Sequence, residues 1–175
     1  MAYRNKTFVG FASEDIKSYR LMQAWNKNEK IDFNFYDAHD LNTALDTSKP
    51  ETIKRRLRER LSNAKQIIVL VGDGTRKKAA KLDSFIHYEV EVISKLKLPI
   101  VFANLNQSRE SQSNRIPAVL GSPLYTISTS FQPKIIQHAL DEFPDAFEKN
   151  EKTSGDSKKT GPYYYKESVY KKLGL

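Results

Sequence analysis

Gln66-Ile67-Ile68-Val69-Leu70-Val71 is an unbroken apolar run rich in β-branched residues, closed by Gly72-Asp73-Gly74-Thr75. A strand can be apolar at every position when it is covered on both faces, so the run reads as the centre of a parallel sheet. Downstream, Leu82 to Leu96 (Leu-Asp-Ser-Phe-Ile-His-Tyr-Glu-Val-Glu-Val-Ile-Ser-Lys-Leu) reads as a helix, and Pro99–Ala103 is a second apolar run. Strand, helix, strand is the repeating unit of a doubly wound α/β fold.

The helix carries an anomaly. Wound at about 100° per residue, Phe85, Ile86, Tyr88, Val90, Val92, Ile93 and Leu96 form one broad apolar arc. Glu89 falls in the middle of that arc, whereas His87, Glu91, Ser94 and Lys95 fall opposite. A buried carboxylate is costly unless it is paired or used. On the pattern alone, Glu89 is either ligand-facing or an inward residue paired with a cation.

Outward from this centre, Thr7–Phe11 reads as a first strand. Ser13 is placed to cap a helix that carries Glu14 and Asp15 in its first turn. Ile31–Tyr36 alternates as a half-exposed edge strand, and 37–49 is a long polar connection. Ser48-Lys49-Pro50-Glu51 has capping-box spacing before a helix whose inward stripe is Ile53, Leu57, Leu61 and Ala64. Residues 104–115 read as a mobile polar loop, 116–121 as one helical turn and 124–127 as a fifth strand. A final helix spans 132–147, with Ile135, Ile136, Ala139, Leu140 and Phe143 inward.

The expectation is a flavodoxin-like, doubly wound five-stranded parallel sheet in the order 2-1-3-4-5, within one domain over 1–147. Residues 148–175 read as a polar linker and an aromatic extension, Pro162-Tyr163-Tyr164-Tyr165 onward, that packs back on the domain. In such folds ligands bind at the carboxyl ends of the strands, and Glu89 lies near that edge.

The 175 residues carry a formal charge of +8, no cysteine and no apolar run approaching the length of a membrane span. Disulfides, thiolate metal sites and a cysteine nucleophile are excluded. The start of the chain has no apolar signal core, so the expected location is the cytoplasm. The basic cluster Lys54-Arg55-Arg56-Leu57-Arg58-Glu59-Arg60 reads as the solvated outer face of a helix. No aromatic-interleaved basic pattern accompanies it, which points away from nucleic acid. His39, His87 and His138 have no metal-ligand spacing, so no metal is expected. Ser13 has no visible base partner, which disfavours a Ser-His-Asp hydrolase. A receiver-type phosphoacceptor site is disfavoured because Ser128-Thr129 stand where a lysine belongs.

A carboxylate in a cleft of this kind can accept hydrogen bonds from a ribose diol, or stabilise an oxocarbenium-like centre as a glycosidic bond breaks. Gly10, Gly72 and Gly74 would let backbone approach such a ligand, and the Ser13 helix start could receive phosphate.

Four blocks occur in order: Phe-Val-Gly-Phe-Ala-Ser-Glu-Asp at 8–15, Phe-Tyr-Asp-Ala at 35–38, Val-Leu-Val-Gly-Asp-Gly-Thr at 69–75, and an aromatic-x-x-Tyr-Glu run at 85–89. Together they resemble the TIR-like domains of the ThsB type, from bacterial Thoeris anti-phage systems, over roughly Thr7 to Ile127. The resemblance implies a TIR-like fold and NAD+ as substrate, with no resident cofactor. It implies an NAD+ nucleosidase or ADP-ribosyl cyclase type of activity, whose cyclic or conjugated ADP-ribose signal reaches a separate effector protein. It assigns Glu89 the catalytic role and places Phe11, Ser13, Asp37, Gly72 and Thr75 around the substrate. Activity at rest is expected to be low, awaiting self-assembly or a phage-derived activator. The sequence departs from the family where Phe85 replaces a frequent Trp and His87 a frequent Arg or Lys. The alternative from a different class is a catalytically silent TIR-like interaction module.

Overall fold

The computed structural model describes residues 6–33, 36–37 (as backbone) and 49–175. Within them the strands are β1 (Lys6–Gly10), β2 (Tyr36–Asp37), β3 (Gln66–Val71), β4 (Ile100–Asn104), β5 (Tyr125–Ser130) and β6 (Gly161–Tyr164). All pair in parallel in one sheet of order β2-β1-β3-β4-β5-β6. The expected order 2-1-3-4-5 is present, and the C-terminal segment adds a sixth strand beyond β5.

The helices are α1 (Ile16–Lys27), α2 (Pro50–Leu61), α3 (Thr75–Ala79), α4 (Phe85–Ile93), α5 (Pro133–Glu151) and α6 (Glu167–Lys172). β3 shows why its sequence is apolar throughout. Ile67, Val69 and Val71 face a core built with Leu57 and Leu61 of α2 and Ile86, Val90 and Ile93 of α4. Ile68 and Leu70 face a second core built with Tyr19 and Met22 of α1 and Ile136, Leu140 and Phe143 of α5. Alternate side chains of one strand therefore feed two hydrophobic layers.

Several local expectations are corrected. Ile31–Phe33 is not strand, and β2 is only the pair Tyr36–Asp37; residues 34–35 lie outside the described set. α2 is capped at Lys49 without a side-chain bond, and Ser48 lies outside the described residues. The basic segment after Gly74 forms the short helix α3. The 104–115 segment is held rather than free. The Asn104 amide donates to the Ser108 and Glu110 carbonyls at 3.0 and 2.8 Å, and the Gln107 amide donates to the Phe131 carbonyl at 3.1 Å. β5 continues through Ser128-Thr129-Ser130, all fully buried.

α5 carries on past the expected boundary at 147 to Glu151. The segment after it is tied by Asn150, whose side chain donates to the Lys159 carbonyl at 2.9 Å and accepts from the Lys159 N–H at 2.7 Å. This amide imitates a strand partner, so a segment with linker composition leaves α5 in a fixed direction. Further on, the Tyr170 hydroxyl accepts the Ser130 N–H at 3.0 Å at the end of β5. Arg109 stacks 4.4 Å from the Tyr170 ring and pairs with Glu167.

Candidate active site

α4 begins where Ser84 caps it: the Ser84 Oγ accepts the His87 N–H at 3.2 Å. The cap fixes the phase of the helix, and that phase sends Ile86, Val90 and Ile93 into the core with Glu89 among them. Glu89 is 1% exposed. Its Oε2 lies 3.4 Å from where a Gly10 Cβ would stand, so the carboxylate rests on bare backbone at the carboxyl end of β1. Neither oxygen has a hydrogen bond of regular geometry.

Burial pushes the Glu89 carboxyl well above the ordinary range. The Arg60 guanidinium and the Phe11 backbone N–H pull the other way, and burial outweighs them. The Phe11 N–H is thus near enough to favour the charged form without making a regular bond. Perturbed carboxyls of this kind cluster at functional sites.

The neighbouring turn, Gly72-Asp73-Gly74-Thr75, is closed by Thr75, whose Oγ1 accepts the Gly72 N–H at 2.8 Å and lies 3.4 Å from the Leu70 carbonyl. The two glycines admit the chain's own carboxylates. A Cβ on Gly72 would stand 2.6 Å from Asp15 Oδ2, and one on Gly74 would collide with Glu14 Oε1. The Asp15 carboxyl is raised by burial and by the charges of Glu14 and Asp73, with the Thr75 hydroxyl and Lys78 opposing.

Ser13 makes no cap; its Oγ accepts from the Lys78 ammonium at 2.8 Å, tying α3 to the turn after β1. The Phe11 ring is 8% exposed and stacks on Tyr19 with centroids 4.8 Å apart, so it belongs to the core and only its backbone faces Glu89.

Two groupings result at one edge of the sheet. Glu89, Gly10 and the Phe11 backbone form one; Ser13, Gly72 and Thr75 join Glu14, Asp15 and Lys78 in the other. Asp37 ends β2 beside Thr7 in the backbone register, and its side chain, like His39, lies outside the described residues. Arg60, Asp15 and Lys78 are absent from the sequence-based set. Glu14 and Asp15 read as ordinary first-turn acids, although the Gly-x-Gly spacing at 72–74 signals that something must pack there.

His87 and Glu91 are partly covered, not free in solvent. His87 Nδ1 lies 2.7 Å from the Ala79 carbonyl and Nε2 lies 3.2 Å from Glu91, which in turn pairs with Lys54 at 2.8 Å. The Lys54 bond, with the charges around it, holds the Glu91 carboxyl below its ordinary range. Two carboxylates two residues apart on one helix therefore live in opposite environments: Glu91 is ion-paired and Glu89 is sealed. Among the described residues no group of three or more His, Asp or Glu is placed to hold a metal. None of their helices is long and apolar enough to cross a membrane.

Comparison with protein families matches residues 8–110 to the family described as Thoeris protein ThsB, TIR-like domain. The match takes in the end of β1, α4 and β4, and with them Gly10, Gly72, Thr75 and Glu89. With this match over more than half of its length and a parallel sheet of the expected order, the chain belongs to the TIR-like domain family of Thoeris ThsB proteins.

Proposed function

We propose that this protein cleaves NAD+ at the nicotinamide–ribose bond and passes on the ADP-ribosyl group as a signal in anti-phage defence, with Glu89 as the catalytic carboxylate. The observation that carries the reading is Glu89 itself: a sealed carboxylate without regular hydrogen bonds, at the carboxyl edge of a parallel sheet and against Gly10. A structural carboxylate would be hydrogen-bonded to its cation there, as Glu91 is to Lys54.

The chemistry follows from charge. The pyridinium nitrogen of NAD+ leaves with the bonding electron pair as neutral nicotinamide, so no proton donor is required. Positive charge grows on the ribose C1′ and ring oxygen, and an ionised Glu89 facing them stabilises that charge. Water, a nucleophile within the same molecule or a second molecule then takes the ribosyl carbon. These acceptors give free, cyclic or conjugated ADP-ribose respectively. The cationic substrate also favours loss of the Glu89 proton, since an opposite charge close by lowers a carboxyl pKa. Because Glu89 is 1% exposed, substrate contact requires its cover to move, in keeping with low activity at rest.

The test compares NAD+ consumption by the wild type, Glu89→Gln and Glu91→Gln under activating conditions. Removing the stabilising charge is expected to cost at least about 100-fold in turnover. Glu91→Gln is expected to retain most of it. Equal losses in both variants would remove the special role of Glu89. The full burial of Glu89 also favours a second reading, a silent interaction module. That reading predicts no turnover in any variant under any condition.

A further inference from the structure

The basic run 54–60 does not form one solvated face. Arg55 and Arg58 are exposed, but Lys54, Arg56 and Arg60 are partly covered on the side of α2 that meets α4. Lys54 is accounted for by its pairing with Glu91. Arg56 and Arg60 line a narrow cleft between the two helices with Ile53, Leu57 and Phe85. Phe85 stands one turn before Glu89, on the same face of α4, because residues four apart on a helix are neighbours. A guanidinium in the last turn of α2 thus lies alongside the turn of α4 that carries the sealed carboxylate.

We propose that Arg60 is a positioning residue for Glu89, holding the charge of that carboxylate from the neighbouring helix. Burial favours the neutral acid, and a neutral acid cannot stabilise a cationic ribosyl centre. A cation on α2 keeps the ionised form within reach. Arginine suits the role because it stays charged in a partly covered seam.

Of the other described charges near α4, Arg56 lines the same cleft one turn from Arg60 and Lys95 lies by Glu91, while several more bond elsewhere. On α4 itself, His87 and Glu91 pair with each other away from the sheet. On α3, Arg76 donates to the Ser113 and Ile116 carbonyls, Lys78 donates to Ser13, and Lys77 stands in the last turn. Just past the end of β1, the Phe11 N–H faces Glu89 as a dipole without net charge.

The proposal rests on the reading of Glu89 as catalytic, so its test has a readout that needs no catalysis. In the full chain, the carboxyl carbon of Glu89 is followed by NMR as a function of pH, with Glu89→Gln supplying the assignment. Arg60→Gln is expected to move the midpoint to higher pH, and Arg60→Lys to move it less. An unmoved midpoint overturns the proposal even if NAD+ is cleaved. A moved midpoint with no turnover in the wild type upholds the coupling and rejects the catalytic reading.

Where turnover is present, Arg60→Gln should lose more kcat on the acid side of the Glu89 midpoint than on the alkaline side, a unit shift in midpoint being about a tenfold change in ionised fraction. KM should stay within roughly threefold. A raised KM with an unchanged pH profile would make Arg60 a direct substrate contact and overturn the positioning role. If Arg60→Gln fails to fold, Arg60→Lys carries the same comparison: a shifted midpoint supports the proposal, and one identical to the wild type overturns it.

Discussion

At the scale of single residues, the burial of Glu89 sets its ionised form against stability. Burial raises its folded-state carboxyl above the unfolded value, so the folded state binds the proton more tightly. Stability from this residue is therefore fully present below the ordinary glutamic acid range and is lost as pH rises through the raised folded value. Glu89→Gln should melt higher than the wild type at neutral pH, by on the order of 1 kcal/mol or more. The gain should shrink toward zero as pH falls to the ordinary carboxylate range, as thermal unfolding across pH would show. Gly72 is the second informative residue. Its missing Cβ would stand 2.6 Å from Asp15 Oδ2, so Gly72→Ala should cost about 1–3 kcal/mol. A double-mutant cycle with Asp15→Ala should recover part of that loss, which chemical denaturation can read.

At the scale of elements, α4 was the most legible part of the chain and the C-terminal segment the least. The winding of 82–96 already puts Glu89 on the apolar arc, and the helix bears this out because its cap at Ser84 sets the phase. Glu91 was harder to read, because the partner that pairs with it, Lys54, comes from another helix. β6 was not legible: Gly161-Pro162-Tyr163-Tyr164 is short and contains a proline. It becomes a strand because β5 offers an edge and Tyr170 locks the following helix onto the Ser130 N–H. Pro162 is tolerated since β6 lies at the sheet's outer edge. Tyr170→Phe leaves that buried N–H without its acceptor and should cost about 1–3 kcal/mol in unfolding free energy. Deleting residues 161–175 should do more, exposing the β5 edge and promoting association, which light scattering would detect.

At the scale of the whole molecule, the layering follows from β3. A strand apolar at every position needs two cores, and two cores need helices on both faces. Of the four blocks that resemble the family, the first and third build β1, β3 and the turns after them, the second takes in β2, and the fourth opens α4. The site was legible in part. Glu89 and Gly72 follow from sequence pattern and Thr75 from the family resemblance, but the work each residue does follows only from three-dimensional contact. Thr75 turns out to close a backbone turn, Phe11 to contribute its N–H, and Ser13 to anchor Lys78. No one-dimensional periodicity brings Arg60 to Glu89, because their proximity depends on how α2 packs on α4. The central claim is that a buried carboxylate at the sheet edge performs chemistry. It is tested most directly by the rate of nicotinamide release from NAD+ by the full-length protein and by Glu89→Gln, under the same activating conditions. The account predicts release by the wild type and a loss of at least about 100-fold in the variant; release at an undiminished rate from Glu89→Gln would contradict it.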